Sequence, residues 1–294
     1  MEKIRFEKTS APKPKFDVSK VGFGTVFSDH MFIMDYEKNK GWYDPRIVPF
    51  APFSISPAAT VLHYAPEIFE GMKAYRTPEG KVQLFRPIEN VKRMNISAER
   101  MCLPQIEEEM MMEALMEIVK ADQSWVPSEP DTSLYIRPFM FGTDEQLGIH
   151  TPQHCIFSII TCPVGSYFRE GINPVRIAIE KDDVRAVKGG TGYAKCGGNY
   201  AASLRAGERA AAQGYSQVLW LDGVERKYIE EAGGMNVMFK IDGKVVTPAL
   251  LGSVLAGITR KSLIEMLKSW NIPVEERLIS LDELLDAINT GRLE

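Results

Sequence analysis

Residues 189–200 read GGTGYAKCGGNY, in which five glycines surround a single lysine, Lys195. Glycine lacks a Cβ and tolerates positive φ, so the backbone can turn sharply and approach a ligand closely. A lone ammonium group in this setting fits three interpretations: a phosphate-binding loop, a lysine that forms a Schiff base with a carbonyl compound, or a turn with an exposed lysine. The rest of the chain has to distinguish among them.

Two nucleotide-binding motifs do not fit the glycine positions. A P-loop requires G-x-x-x-x-G-K-[ST], but Ala194 replaces the second glycine and Cys196 replaces the hydroxyl residue. A Rossmann fingerprint requires G-x-G-x-x-G, and the glycines of residues 22–24 are followed by Phe27 in place of the third glycine. The substitutions at Ala194 and Cys196 disfavour a nucleotide phosphate as the ligand of the lysine loop, and Phe27 disfavours a dinucleotide site at residues 22–27.

Composition and charge narrow the class of protein. The chain has 294 residues, of which 45% are hydrophobic and 25% charged, which is ordinary for a globular protein with room for two domains. The formal net charge of −4 disfavours a general nucleic-acid binder. No apolar run approaches the ~20 residues of a membrane-spanning helix, and the first residues, MEKIRFE, lack the apolar centre of a secretory signal.

The cysteines and histidines predict neither disulfides nor a metal site. The four cysteines contain no C-x-x-C pair, and without a secretory signal we expect reduced thiols in a cytoplasmic protein. The four histidines are scattered, with no metal-binding spacing such as H-E-x-x-H, so we expect no metal cofactor.

Periodicity and turn residues predict an α+β fold with two α/β domains of mixed sheets and helices. A stretch rich in proline and glycine predicts a linker at 164–174, between an N-terminal domain at 1–163 and a C-terminal domain at 175–294. The elements expected in the first domain are an extended segment at 53–66, strands at 72–75, 81–85, 134–141 and 155–162, and helices at 89–101 and 106–121. Those of the second are strands at 175–179, 217–221, 235–241 and 244–247, and helices at 199–213 (with Asn199 as its N-cap), 258–270 and 281–288.

Two segments of the second half offer partners for an aldehyde cofactor that carries a phosphate. Such a cofactor needs a charge partner for its ring nitrogen and N–H groups or a cation for its phosphate. Glu230 and Glu231 precede a Gly-Gly turn and a strand, so one of them could keep a ring nitrogen protonated; the alternative is a solvated acidic turn. Residues 256–260, AGITR, are either a helix start suited to an anion or a plain helix start.

Two segments of the first half also collect polar and aromatic side chains. The residues TPEG at 77–80 predict that the strands at 72–75 and 81–85 form a hairpin, and the string LFRP at 84–87 ends it with Arg86 held against a proline. The string HYAPEIFEG at 63–71 gathers aromatic and acidic residues at a turn. Each has a plainer alternative, with Arg86 as a surface cation and Tyr64 and Phe69 as core residues.

Seven strings in order along the chain resemble the branched-chain amino acid aminotransferases of the fold-type IV pyridoxal-phosphate family. They are HY at 63–64 with FEGMKA at 69–74, LFRP at 84–87, YIRP at 135–138, CPVGSYF at 162–168, RA at 185–186 with KCGGNY at 195–200, EAGGMN at 231–236, and GITR at 257–260. No single string decides the matter, and the seven in order carry the resemblance. It implies a small N-terminal domain and a large cofactor-binding C-terminal domain.

The resemblance implies that pyridoxal 5'-phosphate is the cofactor and that Lys195 forms the Schiff base with it and shuttles the reacting proton. Glu231 pairs with the pyridinium nitrogen, because it, rather than Glu230, lies four residues before Met235 in the family pattern Glu-x-Gly-x-Met-Asn. Tyr200 hydrogen-bonds the phenolic oxygen of the ring.

The resemblance also implies how the phosphate is held. Arg86 and the helix start at 258–259 bind it, the latter through two N–H groups and the Thr259 hydroxyl, and Arg185 lies beside it. Gly234 stands where many members carry a threonine, and the loss of that hydroxyl removes one cofactor contact. The full cofactor-binding set is Arg86, Arg185, Lys195, Tyr200, Glu231, Gly234, Met235, Asn236, Ile258 and Thr259.

The substrate pocket implied by the resemblance is aromatic and suits aliphatic side chains. Its residues are Phe23, Tyr64, Phe69, Tyr135, Arg137 and Tyr167. Leu147 and Ile149 match positions that reach the neighbouring subunit's site, which implies a homodimer.

The implied activity is transfer of the amino group of L-leucine, L-isoleucine or L-valine to 2-oxoglutarate. A D-amino acid aminotransferase, an aminodeoxychorismate lyase and a non-catalytic module on the same fold are the alternatives. Family members continue beyond a final helix like the one at 281–288 into a segment that completes the substrate wall. We therefore expect the 294-residue chain to have an incomplete pocket and weak or no activity alone.

Overall fold

The computed structural model describes residues 2–14, 16–17, 21–165 and 173–294. Contacts divide the chain into two compact units, Met1–Ile172 and Asn173–Glu294. The linker expected at 164–174 lies mostly outside the described residues, and the first unit, expected as the small domain, is the longer of the two in this chain. Among the described residues, no helix is both long enough and apolar enough to cross a membrane.

The first unit is organised by one sheet, which has eight strands within the described residues. Its strands are β1 (Arg5–Phe6), β2 (His30–Glu37), β3 (Gly41–Pro49), β4 (Glu67–Phe69), β5 (Met72–Arg76), β6 (Val82–Leu84), β7 (Ser133–Gly142) and β8 (His154–Val164), and its helices are α1 (Val61–Tyr64), α2 (Pro87–Arg100) and α3 (Glu108–Ala121), followed by a 3₁₀ turn at Gln123–Trp125. The strand order is β1-β3-β2-β8-β7-β5-β6, and β4 also pairs with β7. All of these pairs are antiparallel except β1 with β3.

The core of this unit lies between the sheet and its two long helices. Phe32 on β2 and Phe157 on β8 are completely buried, with their rings 5.8 Å apart in an edge-to-face arrangement. Helix α2 buries Val91, Met94 and Ala98, whose spacing of three and four residues places them on one face. Strand β7 lies between β8 and β5 in the sheet. The core on one face of the sheet therefore fixes the position of the β7 side chains on the opposite face.

The second unit contains two smaller sheets within its described residues. Its strands are β9 (Ile177–Ile179), β10 (Gln217–Leu221), β11 (Ile229–Ala232), β12 (Met235–Asn236), β13 (Phe239–Ile241), β14 (Lys244–Pro248) and β15 (Val274–Arg277), and its helices are α4 (Gly197–Ala201), α5 (Leu204–Ala212), α6 (Ile258–Ser269) and α7 (Leu281–Asn289). One sheet has the order β12-β11-β10-β9 and the other β13-β14-β15. The mixed sheets and interspersed helices confirm the predicted α+β class.

Two apolar clusters hold the second unit together. Leu219 and Leu221 on β10 pack with Ile229 on β11 and with Leu284 on α7. Trp220, which points to the other face of β10, packs against Ala206 and Ala210 on α5. The alternation along β10 therefore buries both faces of this sheet.

Several predicted elements were wrong in extent or kind. The segment at 53–66 is not extended throughout, because residues 61–64 form α1. The helix at 199–213 is two helices, α4 and α5, and Asn199 lies inside α4 rather than at its N-cap, which is Cys196. The strand at 235–241 is interrupted between β12 and β13.

Other elements were missed by the sequence reasoning. Glu230 and Glu231 lie on a fully buried strand, β11, and not in a solvated turn before one. The long hairpin of β2 and β3 was also missed, although it supplies much of the first sheet. Its strands carry charged residues such as Asp35 and Arg46, which interrupt the apolar alternation in the sequence. In the structure these two residues form an ion pair across the two strands.

Candidate active site

Lys195 and Tyr200 form a polar pair at the start of α4. The chain is extended at Cys196 and becomes helical at Gly197, and a single turn of helix then brings Tyr200 back beside the lysine. Lys195 Nζ donates a hydrogen bond to Tyr200 Oη at 2.7 Å. The half-buried ammonium group therefore lies within hydrogen-bond distance of a phenolic oxygen.

The glycine-rich loop before Lys195 is fixed by Asn199. Its side-chain Nδ2 donates to the carbonyl oxygens of Thr191 at 2.9 Å and Ala194 at 2.8 Å, and its Oδ1 accepts from Thr191 Oγ1 at 2.8 Å. Gly192 lies so close to the neighbouring loop that a Cβ there would be 2.3 Å from the carbonyl oxygen of Ser253. These contacts make the loop a rigid support for Lys195 rather than a mobile turn.

Glu231 is a buried carboxylate of this unit, with 3% of its surface exposed. Its Oε1 accepts hydrogen bonds from Asn236 Nδ2 at 3.0 Å and from Leu255 N–H at 3.1 Å. Its Oε2 lies 2.8 Å from Arg185 Nε, as an ion-pair contact whose N–H is not directed along the line between the atoms. Three different segments therefore hold this one carboxyl group.

Burial and charge act on Glu231 in opposite directions. Removal from water raises the pKa of the Glu231 carboxyl above its ordinary value. The Arg185 guanidinium, the Leu255 N–H and the Lys195 ammonium each lower that pKa, whereas the adjacent Glu230 raises it. Arg185 is the largest of the opposing influences.

Glu230 is buried beside Glu231 on β11, but its contacts differ. Its Oε1 accepts a short hydrogen bond from the Ser253 hydroxyl, and its buried Oε2 has no hydrogen-bond partner among the described residues. Burial raises the pKa of the Glu230 carboxyl. Arg185, the nearby cation, contacts Glu231 and donates a hydrogen bond to the Ser253 carbonyl oxygen.

A recess in the second unit exposes parts of Arg185, Tyr200 and Glu231 to solvent. It encloses about 380 Å³ of space, open solvent included. Its lining residues are Arg185, Gly192, Ala194, Asn199, Tyr200, Ser203, Glu231, Gly233, Gly234 and Leu255. A Cβ on Gly234 would lie 3.7 Å from the Tyr200 ring, an ordinary contact distance, so this position has room for a side chain.

The start of α6 is anchored next to Glu231. Asn236 Nδ2, which bonds Glu231, also donates to the Leu255 carbonyl oxygen at 2.9 Å, two residues before the N-cap Gly257. A Cβ on Gly257 would lie 1.9 Å from Asn236 Oδ1, so only glycine fits there. The helix then begins at Ile258 and Thr259, where the first N–H groups have no acceptor within the helix and suit an anion.

In the first unit, Arg86 lies at the end of the β5–β6 hairpin. It is the N-cap of α2 and has a left-handed backbone with φ of 49°. Its Nη2 lies 3.6 Å from Glu89 Oε1, one turn along the same helix. The half-buried guanidinium is therefore held at a sharp corner of the chain.

Several of the predicted substrate residues lie together on the first sheet. Arg137 on β7 lies over the rings of Phe69, at 4.6 Å, and Tyr135, at 5.2 Å, and its Nη2 donates to Tyr135 Oη at 2.9 Å. Phe23 packs edge-on against Tyr135 with ring centroids 4.9 Å apart. The buried Nε of Arg137 has no acceptor among the described residues.

A buried network behind these aromatic residues was missed by the sequence reasoning. Glu70 is completely buried and receives hydrogen bonds from Arg93 Nε at 2.7 Å, Arg93 Nη2 at 2.9 Å and Asn90 Nδ2 at 2.8 Å. The next residue, Gly71, lies so close to Tyr135 Oη that a Cβ would be 2.0 Å away. The glutamate and glycine of the string FEG were the available signal.

Tyr64 lies apart from this group. Its hydroxyl accepts a hydrogen bond from Gly148 N–H at 3.2 Å, in a loop whose neighbouring Leu147 and Ile149 are 71% and 88% exposed. Tyr167, the remaining predicted substrate residue, lies outside the described residues.

Comparison with known proteins identifies the family. The model of the amino-transferase class IV family matches residues 67–290, most of the chain. The chain is a class IV aminotransferase.

Similar class IV aminotransferases are found in Bacillus subtilis (strain 168). The chain is 54% identical over 291 residues to its branched-chain-amino-acid aminotransferase 2, covering 99% of this chain and 80% of that protein. It is 52% identical to branched-chain-amino-acid transaminase 1 of the same organism, with 99% and 82% covered.

Solved class IV structures share the fold. A branched-chain aminotransferase from Thermoproteus uzoniensis has a TM-score of 0.74 at 26% identity, covering 88% of this chain and 81% of that one. The branched-chain amino acid aminotransferase of Escherichia coli has a TM-score of 0.73 at 27% identity, with 87% and 79% covered. These matches confirm the predicted fold-type IV architecture.

Class IV aminotransferases depend on pyridoxal 5'-phosphate, and the residues of the second unit fit it. The recess presents the Tyr200 ring, a buried carboxylate and Gly234, which leaves open space. Lys195 lies within hydrogen-bond distance of Tyr200, and α6 begins near Leu255 in the recess lining. An amine, a buried carboxylate and a helix start suited to an anion therefore occur in one compact unit.

The raised pKa of Glu230 predicts how stability changes with pH. The folded pKa lies above the ordinary 4.5, so the protein loses stability as the pH rises through the window between these two values. Glu230→Gln keeps the acceptor for Ser253 but cannot ionise. We measure the free energy of unfolding by urea denaturation at each pH. The value for Glu230→Gln minus the value for the wild type should increase as the pH rises from acidic to neutral.

Glu275→Gln is the matched control for this measurement. Hydrogen bonds from Lys244 and Arg277 lower the pKa of Glu275, so its carboxylate stabilises the fold above pH 4.5 and that contribution is lost as the pH falls. We expect this variant to have a lower free energy of unfolding than the wild type at neutral pH and the same value in acid. Parallel curves for Glu230→Gln and the wild type would contradict the raised pKa.

Proposed function

We propose that this class IV aminotransferase transfers the amino group of L-leucine, L-isoleucine or L-valine to 2-oxoglutarate. The observation that carries the proposal is the 54% identity, over 99% of the chain, to a protein named as a branched-chain aminotransferase. A second relative with that activity in its name is 52% identical over the same length. These names favour the branched-chain substrates over the D-amino acid aminotransferase and the aminodeoxychorismate lyase as alternatives on this fold.

The reaction needs a group that carries nitrogen from one substrate to the other. Bound pyridoxal 5'-phosphate supplies a carbonyl group and an electron-accepting ring for this purpose. Lys195 Nζ, as the amine of the site, moves the proton that leaves the substrate α-carbon. Its hydrogen bond to Tyr200 Oη supports this role, since it orients the ammonium group on a rigid loop.

The remaining proposed cofactor contacts follow from charge. Glu231 holds the proton of the ring nitrogen, and its burial between Asn236 and Leu255 supports a fixed orientation for that contact. Arg86 and the first N–H groups of α6 hold the phosphate, together with the Thr259 hydroxyl. Charge-assisted hydrogen bonds of this kind contribute about 1.5–3 kcal/mol each.

The proposed preference for branched aliphatic substrates rests on apolar burial. Phe23, Phe69 and Tyr135 lie together on the first unit and provide aromatic surface for such a side chain. Discrimination by burial is worth about 1–3 kcal/mol for each methylene gained or lost. Tyr64 and Tyr167 complete the proposed set.

Arg137 is suited to recognition of the dicarboxylate co-substrate. Its guanidinium lies among aromatic rings with a buried Nε that has no acceptor in the described part of the chain. An unpartnered N–H in such a place favours a ligand oxygen. We therefore assign Arg137 to the side-chain carboxylate of glutamate and 2-oxoglutarate.

Assembly and location are also proposals. A homodimer would cover the exposed Leu147 and Ile149 side chains, whose exposure supports an interface at this loop. The four free thiols support a cytoplasmic location, where disulfides are rare.

Lys195 can be tested directly. Borohydride reduction of the protein with pyridoxal 5'-phosphate should attach the cofactor to the peptide that contains residue 195, as mass spectrometry would show. Lys195→Ala should lose both this attachment and transamination. Lys188→Ala, which removes an exposed lysine from the same loop, should keep both, and labelling elsewhere in the wild type would refute the role of Lys195.

Arg137→Met should separate the two substrates. Loss of a charge-assisted contact should raise KM for 2-oxoglutarate by about 10- to 100-fold, whereas KM for L-leucine should change by less than about threefold. Arg5→Met removes an exposed arginine of the same unit and should leave both values unchanged. Equal changes for both substrates in Arg137→Met would rule out the assignment.

A further inference from the structure

Arg185 is committed to two partners inside the second unit. The residue is 8% exposed, its Nε lies 2.8 Å from Glu231 Oε2, and its Nη2 donates a short hydrogen bond to the Ser253 carbonyl oxygen. The second partner belongs to the loop that also packs against Gly192, so the guanidinium is tied to the same rigid support as the glycine-rich loop. Family resemblance alone placed this arginine beside the phosphate.

The charge balance around β11 makes this cation important. Glu230 and Glu231 are adjacent and both buried, and the charged groups that act on Glu231 are Arg185, Lys195 and Glu230. Asp222 adds a further negative charge near Glu230. With Arg185 removed, Lys195 would be the remaining favourable charge on Glu231 within the described part of the chain. A buried carboxyl without sufficient compensation takes up a proton.

The geometry fixes orientation as well as charge. Oε1 of Glu231 is held by Asn236 and by the Leu255 N–H, while Oε2 is in contact with Arg185. A carboxylate has about four lone-pair sites, so acceptor capacity remains for one more donor. A protonated ring nitrogen would meet an ionised, oriented acceptor only while Arg185 stays in place.

We propose that Arg185 is a positioning residue that keeps Glu231 ionised and oriented for the ring nitrogen of the cofactor, and that it does not bind the cofactor phosphate. The inference rests on the proposed function, because it concerns the same site. On this proposal, Arg185 affects ligand binding entirely through Glu231.

The test compares two ligands that differ only in the phosphate, pyridoxamine 5'-phosphate and pyridoxamine. Neither has an aldehyde, so their binding does not depend on a bond to Lys195. Quenching of tryptophan fluorescence can report binding, because the Trp220 indole donates to the carbonyl oxygen of Gly233 in the recess lining at 3.0 Å. Dissociation constants are measured for wild type, Arg185→Met, Glu231→Gln and the double variant.

We expect Arg185→Met to weaken both ligands by the same factor, about tenfold or more. In the Glu231→Gln background, the same change should have no further effect, because the charge that Arg185 compensates is absent. Arg86→Met, which changes the arginine assigned to the phosphate, provides the comparison and should weaken pyridoxamine 5'-phosphate selectively.

Three outcomes would overturn the inference. A loss in Arg185→Met that is confined to the phosphate-bearing ligand would make Arg185 a phosphate contact. A full loss that persists in the Glu231→Gln background would show that Arg185 does not act through Glu231. A wild type that binds neither ligand would remove the proposed function, and this inference with it.

A conservative variant covers the case in which Arg185→Met does not fold. Arg185→Lys keeps the positive charge but cannot contact Glu231 and Ser253 together in the same way. We expect it to weaken both ligands by one common and smaller factor. The ³¹P resonance of bound pyridoxamine 5'-phosphate should match that of the wild type, and a displaced resonance would refute the inference.

Discussion

The central physical constraint in this molecule is the burial of the Glu231 carboxyl group inside a small sheet. A carboxylate removed from water is costly unless hydrogen bonds and a nearby cation compensate it. Asn236, Leu255 and Arg185 supply that compensation from three separate segments. The structure around β11 is therefore organised to hold one charge.

Three glycines of the second unit allow its segments to approach one another closely. Gly257 leaves space for the Asn236 side chain that bonds Glu231, and Gly192 allows the lysine loop to approach the Ser253 backbone. Gly233 has φ of 56°, and a Cβ there would lie 1.8 Å from Gln217 Oε1. These residues permit close packing between segments and do not themselves form a phosphate loop.

Sequence reasoning recovered the elements with strong local signals. The hairpin of β5 and β6 and the helices α2, α3, α6 and α7 were confirmed, because periodicity and turn residues determine them locally. The β2–β3 hairpin and the break between α4 and α5 depend on tertiary contacts. The contact of Arg185 with Glu231 joins residues 46 positions apart and has no local signal.

The most direct test of the account is a single half-reaction followed by absorbance. Excess L-leucine, added to the protein loaded with pyridoxal 5'-phosphate and without an acceptor, should remove the visible absorbance in proportion to the bound cofactor. After the remaining L-leucine and its keto acid have been removed, 2-oxoglutarate should restore the absorbance and yield one equivalent of L-glutamate for each bound cofactor. An unchanged spectrum with L-leucine, or a change with D-leucine alone, would contradict the account.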